Sequence, residues 1–307
     1  MDIYHTGTDI MTVSRQRHLS IGTSRLSWMA VIAVATIVAA CGSSEPEITP
    51  ATLGGDQVLF ERGVTAIADE KWLDARDYFL RVRDNYPQSG LRAEARLGIA
   101  DSFEGQGGAV SYVSALAEYQ DFLRLYPTHP RAAYAQFKLA MVHHHQMRPP
   151  ERDQSWTQSA IREFELFLEQ YPNSELTGEV RSYLREAENR LSESEFVVGR
   201  YYHRNKWWPG AIERLGQVLE TNPEFNGREL VYFYLGDAFY NSGQLAEALP
   251  MFQSLLEEFQ DTEFIEDATA AVADIETRLE TEAAASPDED EAGNDDDSGA
   301  ATSPASG

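Results

Sequence analysis

Three consecutive histidines, His143-His144-His145, are the first residues with the makings of a chemical site. Imidazoles are common metal ligands. Neighbours on a helix point about 100° apart, however, so three in a row do not converge on one ion. No second His or Cys cluster completes a site, and the run leads into Pro149-Pro150, as a helix end would. Gly105-Gln106-Gly107-Gly108 has the composition of a phosphate cradle, but no strand signal precedes it. Asp295-Asp296-Asp297 could gather calcium loosely, although a solvated charge run is the ordinary state of such a segment. Acid pairs such as Glu257-Glu258 occupy adjacent helical positions and read as solvated faces. No Ser, His and Asp follow a strand-turn-helix pattern. The sequence therefore predicts a protein that is not an enzyme and holds no metal or cofactor.

Cys41 is the single cysteine of the chain, which rules out an internal disulfide and a Cys-based zinc site. Its surroundings give it a different role. Arg15, Arg17 and Arg25 precede an apolar run over residues 28–38, interrupted only by Thr36. A bilayer-spanning helix needs about 20 apolar residues, so the run is too short and fits the core of a secretory signal. Val38-Ala39-Ala40-Cys41-Gly42 then resembles the bacterial lipobox. Cleavage there would leave Cys41 as an N-terminus carrying acyl chains such as palmitate, each buried methylene contributing about 0.8 kcal/mol to anchoring. Met1 and Met11 are both plausible starts. Residues 1–40 are thus expected to be a signal peptide, and 41–55, with Pro46 and Pro50, a flexible tether.

The elements behind these residues follow from an internal repeat. Ala75…Phe79…Pro87, Ala115…Tyr119…Pro127, Ala160…Phe164…Pro172 and Ala211…Leu215…Pro223 share one spacing; Ala248…Phe252…Gln260 departs only at its end. Gly63, Ala100, Ala140, Gly199 and Gly236 stand upstream of the five alanines, with insertions in the second and third repeats. Two helices approach closely only where such small residues meet, and Pro stops the second helix. This is the tetratricopeptide pattern. Residues 56–280 are expected to form an all-α, right-handed solenoid of five helix pairs. Residues 281–307 hold eight acids, no base and no large apolar side chain, which predicts a disordered acidic tail.

With 50 Asp and Glu against 25 Lys and Arg, the formal charge is −25, unsuited to displacing counterions from nucleic acid. In a tetratricopeptide array the first helices line the concave face. Counting from the small residues places Phe60, Val64, Leu97, Asp101, Tyr134, Phe137 and Met141 there. Apart from Asp101 these suit a groove for an extended, aromatic-ended peptide. Packing inside a slightly rotated helix explains the same residues equally well.

Several phrases go beyond generic repeats: Leu123-Arg124-Leu125-Tyr126-Pro127-Thr128-His129-Pro130, Arg152-Asp153-Gln154, Tyr171-Pro172-Asn173-Ser174 and Glu195-Phe196-Val197-Val198-Gly199-Arg200-Tyr201-Tyr202. With the lipobox, they make residues 56–280 resemble the BamD family of lipoproteins in the β-barrel assembly machine. The resemblance implies a scaffold, lipid-anchored to the outer membrane and facing the periplasm. Its C-terminal repeats would bind the barrel subunit BamA, with Arg214 a candidate contact, alongside other assembly lipoproteins. Its N-terminal repeats would receive signal segments of unfolded barrel proteins. The alternative is another periplasmic tetratricopeptide lipoprotein, serving cell-envelope division or peptidoglycan assembly.

Overall fold

The computed structural model describes residues 54–285. These belong to the second of two compact units, Pro50–Gly307. The expected signal segment, Cys41, most of the tether and the chain beyond 285 lie outside the described residues.

Eleven helices follow one another, with no strand among the described residues. They pair as α1 (Gly55–Ala68) with α2 (Trp72–Asn85), α3 (Arg92–Gln106) with α4 (Ala109–Leu125) and α5 (Ala132–His144) with α6 (Ser155–Gln170). Next come α7 (Thr177–Arg204) with α8 (Trp208–Thr221) and α9 (Arg228–Asn241) with α10 (Leu245–Glu258). Helix α11 (Ile265–Ala285) packs on α10. Each helix packs chiefly on its neighbours in chain order, which is the organisation of a solenoid.

The repeat residues carry this packing. All five alanines, Ala75, Ala115, Ala160, Ala211 and Ala248, are fully buried. A Cβ on Gly63 would stand 2.6 Å from the ring of Phe79, and one on Gly98 would strike the same ring. Phe79 therefore wedges between α1 and α3, joining one pair to the next. Gly199 leaves the same room for Leu215, with 2.7 Å to a hypothetical Cβ.

The second helix of every pair ends in one shared turn. Ser89, His129, Ser174, Phe225 and Thr262 each donate a backbone N–H to the carbonyl three residues earlier, at Tyr86, Tyr126, Tyr171, Asn222 and Phe259. The fifth turn forms without Pro, so Gln260 costs the repeat nothing in geometry. Phe259 has the same C-cap backbone conformation as the three tyrosines and lies under the Arg228 guanidinium.

Between the two helices of the first, fourth and fifth pairs, the chain turns through a left-handed residue five positions before the alanine. Gly243 fills that place in the fifth pair, at φ 81°, but Glu70 and Lys206 fill it at φ 58° and 57°. A side chain there works against backbone sterics.

One helix is far longer than its partner, and one boundary differs from the sequence reading. Helix α7 runs for 28 residues, twice the length of α8. Its Val180 joins the core around Phe164 and Phe167, and its Phe196 the core around Leu215 and Leu235. Helix α11 continues to Ala285, five residues beyond 280, through Ala283-Ala284-Ala285, which favour helix strongly.

Candidate functional site

The six apolar residues assigned to the groove divide into two groups. Leu97, Phe137 and Met141 are 1%, 8% and 7% exposed and belong to the core. Phe137 and Met141 pack around Phe164, and Leu97 around Tyr119. They are closed to a peptide because α3 and α5 are covered on several sides, each burying eight of its residues. Val64, by contrast, is 49% exposed. Phe60 is half-buried, set edge-on to Phe79 with ring centroids 5.5 Å apart. Tyr134 is also half-buried, beneath the Arg131 guanidinium at 4.2 Å.

The three histidines face three different neighbours. His143 lies against Trp156 on α6, with centroids 5.7 Å apart. His144 meets Tyr183 on α7 at 5.0 Å, its Nε2 3.3 Å from Glu186. His145 lies parallel to Tyr112 on α4 at 6.3 Å. Burial holds both His143 and His144 below the ordinary histidine pKa. No grouping of three or more His, Cys, Asp or Glu suited to a metal occurs among the described residues.

Between the second and third pairs lies a polar cluster whose members Asp101, Tyr119, Tyr134 and His145 the sequence reading named separately, without bringing them together. The Tyr119 hydroxyl sits 2.5 Å from Asp101 Oδ1 and 2.7 Å from Glu104 Oε2. The Tyr134 hydroxyl donates to the same Asp101 oxygen at 3.0 Å. Lys138 Nζ donates to Glu104 Oε1 at 2.7 Å, and His145 Nε2 stands 3.5 Å from that oxygen. Tyr119 has one proton to place between two carboxylates. Burial raises the Asp101 pKa above the ordinary carboxylate value. Burial also acts upward on Glu104, but hydrogen bonds from His145 and Lys138 outweigh it and hold Glu104 low. The cluster ties α3, α4 and α5 together across the repeat boundary.

The boundary between the fourth and fifth pairs is open. Arg200, His203 and Arg204 on α7, Lys206 in the turn, Trp208 on α8, and Tyr234, Asp237 and Asn241 on α9 line a cleft of about 640 Å³. His203 Nε2 and Asp237 Oδ2 stand 2.6 Å apart, with the ring set against Trp208 and Tyr234. Arg214 lies elsewhere on α8, where its Nη1 pairs with Glu195 Oε2 at 2.9 Å. Both side chains are about one-third exposed, at 39% and 31%. The hydrogen bond from Arg214 to Glu195, together with their charge attraction, raises its pKa.

Both boundaries could have been found by aligning first helices on their small residues. One and four positions after Ala100 come Asp101 and Glu104; the same offsets from Gly199 give Arg200 and His203.

Helix pairs stacked in series, with polar side chains between them, define a tetratricopeptide-type solenoid. A tetratricopeptide repeat model matches residues 230–262. The model of the outer membrane lipoprotein family YfiO matches residues 54–240, and the chain belongs to that family. Among curated relatives, the outer membrane protein assembly factor BamD of Caulobacter vibrioides is 25% identical over 229 residues, covering 74% of this chain and 73% of its own. The BamD of Vibrio cholerae is 23% identical over 192 residues, covering 59% and 78%. That of Haemophilus influenzae is 19% identical over 234 residues, covering 73% and 87%.

Proposed function

We propose that this chain is a lipid-anchored scaffold of outer-membrane protein assembly. The observation that carries the reading is the family match across four of the five helix pairs and into the fifth. Cys41 is its acylated N-terminus, and the repeats face the periplasm. The fourth and fifth pairs hold a BamA-type barrel subunit, with Arg214 and its partner Glu195 on the contacting surface. Other assembly lipoproteins share the complex. The first to third pairs receive segments of unfolded barrel proteins, through the parts of Phe60, Val64 and Tyr134 that remain open.

Co-purification from detergent-solubilised outer membrane tests the whole reading. Recovery of BamA with this chain is the expected result; recovery of division or peptidoglycan proteins instead of BamA replaces it with the alternative. Arg214→Leu is expected to weaken binding of the BamA periplasmic domain at least about fivefold, roughly 1 kcal/mol. Equal affinities exclude Arg214 from the contact. An intact mass showing an unmodified Cys41 removes the anchor.

A further inference from the structure

In a chain of net charge −25, three cations that form no ion pair among the described residues gather at one cleft. Arg200, Arg204 and Lys206 all line it. Arg200 lies over the Phe196 ring at 5.5 Å and Arg204 over Tyr201 at 5.9 Å; neither contact neutralises a charge. Asp237, the acid of the cleft, is engaged by His203 at 2.6 Å. Lys206 holds a left-handed turn position that the fifth pair gives to Gly243. All three cationic residues are exposed. Like charges this close repel one another, and an anion brought to the cleft relieves that repulsion.

The chain carries a matching anion. Beyond Ala285 it continues with Asp288-Glu289-Asp290-Glu291 and Asp295-Asp296-Asp297, and no base occurs from Leu279 onward. The starting point of this segment is fixed. Tyr240 Oη donates to Asp274 Oδ2 at 2.7 Å, which sets the middle of α11 beside the end of α9, next to Asn241 of the cleft. From Asp274 to Ala285 the helix advances about 16 Å. Ten residues separate Ala285 from Asp295, a reach of up to about 35 Å when extended. That reach lets Asp295-Asp296-Asp297 return to the cleft from the end of α11, whereas Asp288, three residues from Ala285, reaches only about 10 Å.

We propose that the acidic C-terminal segment, residues 288–297, docks through Asp295-Asp296-Asp297 on the basic cleft formed by Arg200, Arg204 and Lys206 of the same chain. Any acidic surface approaching the fourth and fifth pairs must then displace it. This inference is independent of which protein the repeats hold.

The lysines of the chain are Lys71, Lys138 and Lys206, so a zero-length carbodiimide crosslink tests the docking directly. The full chain is treated at low salt, as an equal mixture of isotopically heavy and light protein, and crosslinked peptides are sequenced. Lys206 should join residues 288–297 within one chain, at least about fivefold more often than Lys71 does. Sodium chloride at about 1 M, where the screening length falls to about 3 Å, should remove most of that product. Arg200→Glu with Arg204→Glu should lower it about fivefold at unchanged helicity. Replacing the acids of 288–297 by Asn and Gln should abolish it. Equal yields at Lys71 and Lys206, or products joining only heavy to light chains, overturn the proposal.

Discussion

The boundary between the second and third pairs and that between the fourth and fifth occupy corresponding places in the repeat, yet one is sealed and the other open. At the first, Asp101 and Glu104 meet Lys138 and His145 from the next helix, with Tyr119 between the acids. At the second, Arg200 and His203 stand at the offsets of Asp101 and Glu104. Tyr234, Asp237 and Asn241 stand at those of Lys138, Met141 and His145. Acids facing a lysine close the gap, whereas arginines facing a tyrosine and an already engaged aspartate leave it open. The repeat assigns the position. The sign and reach of the side chains then decide whether that position becomes a clasp or a receptive surface.

The largest effect should come from breaking the clasp. Lys138→Ala leaves Glu104, whose side chain is 7% exposed, without its main counter-charge. A loss of about 3 kcal/mol in urea unfolding is expected, the scale for stranding a buried charge. A loss below about 1 kcal/mol would mean that the two boundaries do not differ in the way described. Gly199→Ala acts beneath the open cleft, where the added methyl meets Leu215 at 2.7 Å. Overpacking should cost about 1–3 kcal/mol there, showing that the cleft is open in its side chains while its backbone contact is tight. The same unfolding curves measure it.

A pH series separates the two acids of the clasp. Asp101 has a raised folded pKa, so its contribution favours the fold at low pH and is lost as pH rises through that pKa. Glu104 has a lowered one, so its contribution is present above its unfolded value and lost as pH falls. Asp101→Asn should therefore gain on the parent as pH rises from 3.8, by at most about 1.4 kcal/mol per pH unit where the group titrates. Parallel stability curves for parent and variant between about pH 4 and pH 7 would show that Asp101 does not hold this proton. The smallest effect belongs to the open boundary. Arg200→Ala should change stability by no more than about 0.5 kcal/mol, because the side chain is exposed and makes no ion pair among the described residues. A thermal melt that moves by several degrees would turn the cleft into a structural element.

The fold was legible in the sequence because its determinants are local. An alanine and a bulky residue four places on, with a small residue upstream and Pro at +12 in four of the five repeats, recur along the chain, and the small, alanine and bulky residues stand in the packed positions expected from Gly63 to Phe252. Helix α7 was less legible, since the spacing marks where a pair closes and not where its first helix begins. The groove was only half legible. Offsets from Ala100 and Ala140 placed Leu97, Phe137 and Met141 on a face, but Tyr119 and Phe164, distant in sequence, fill the space in front of them. The charged cleft went unnoticed for the related reason that its residues come from three helices and a turn. Repeat alignment, rather than single-site inspection, exposes such groupings.

Helix α7 has a mechanical consequence. Its 28 residues extend about 42 Å, and between Gly178 and Gly199 it contains neither glycine nor proline, the usual places for a kink. One end is gripped by the third pair and the other by the fourth. Such a rod behaves as a lever arm: a load on the C-terminal pairs reaches the third pair as torque, with no hinge to absorb it. A tilt of about 5° at one end corresponds to a sideways travel of about 4 Å at the other, for an arm of that length.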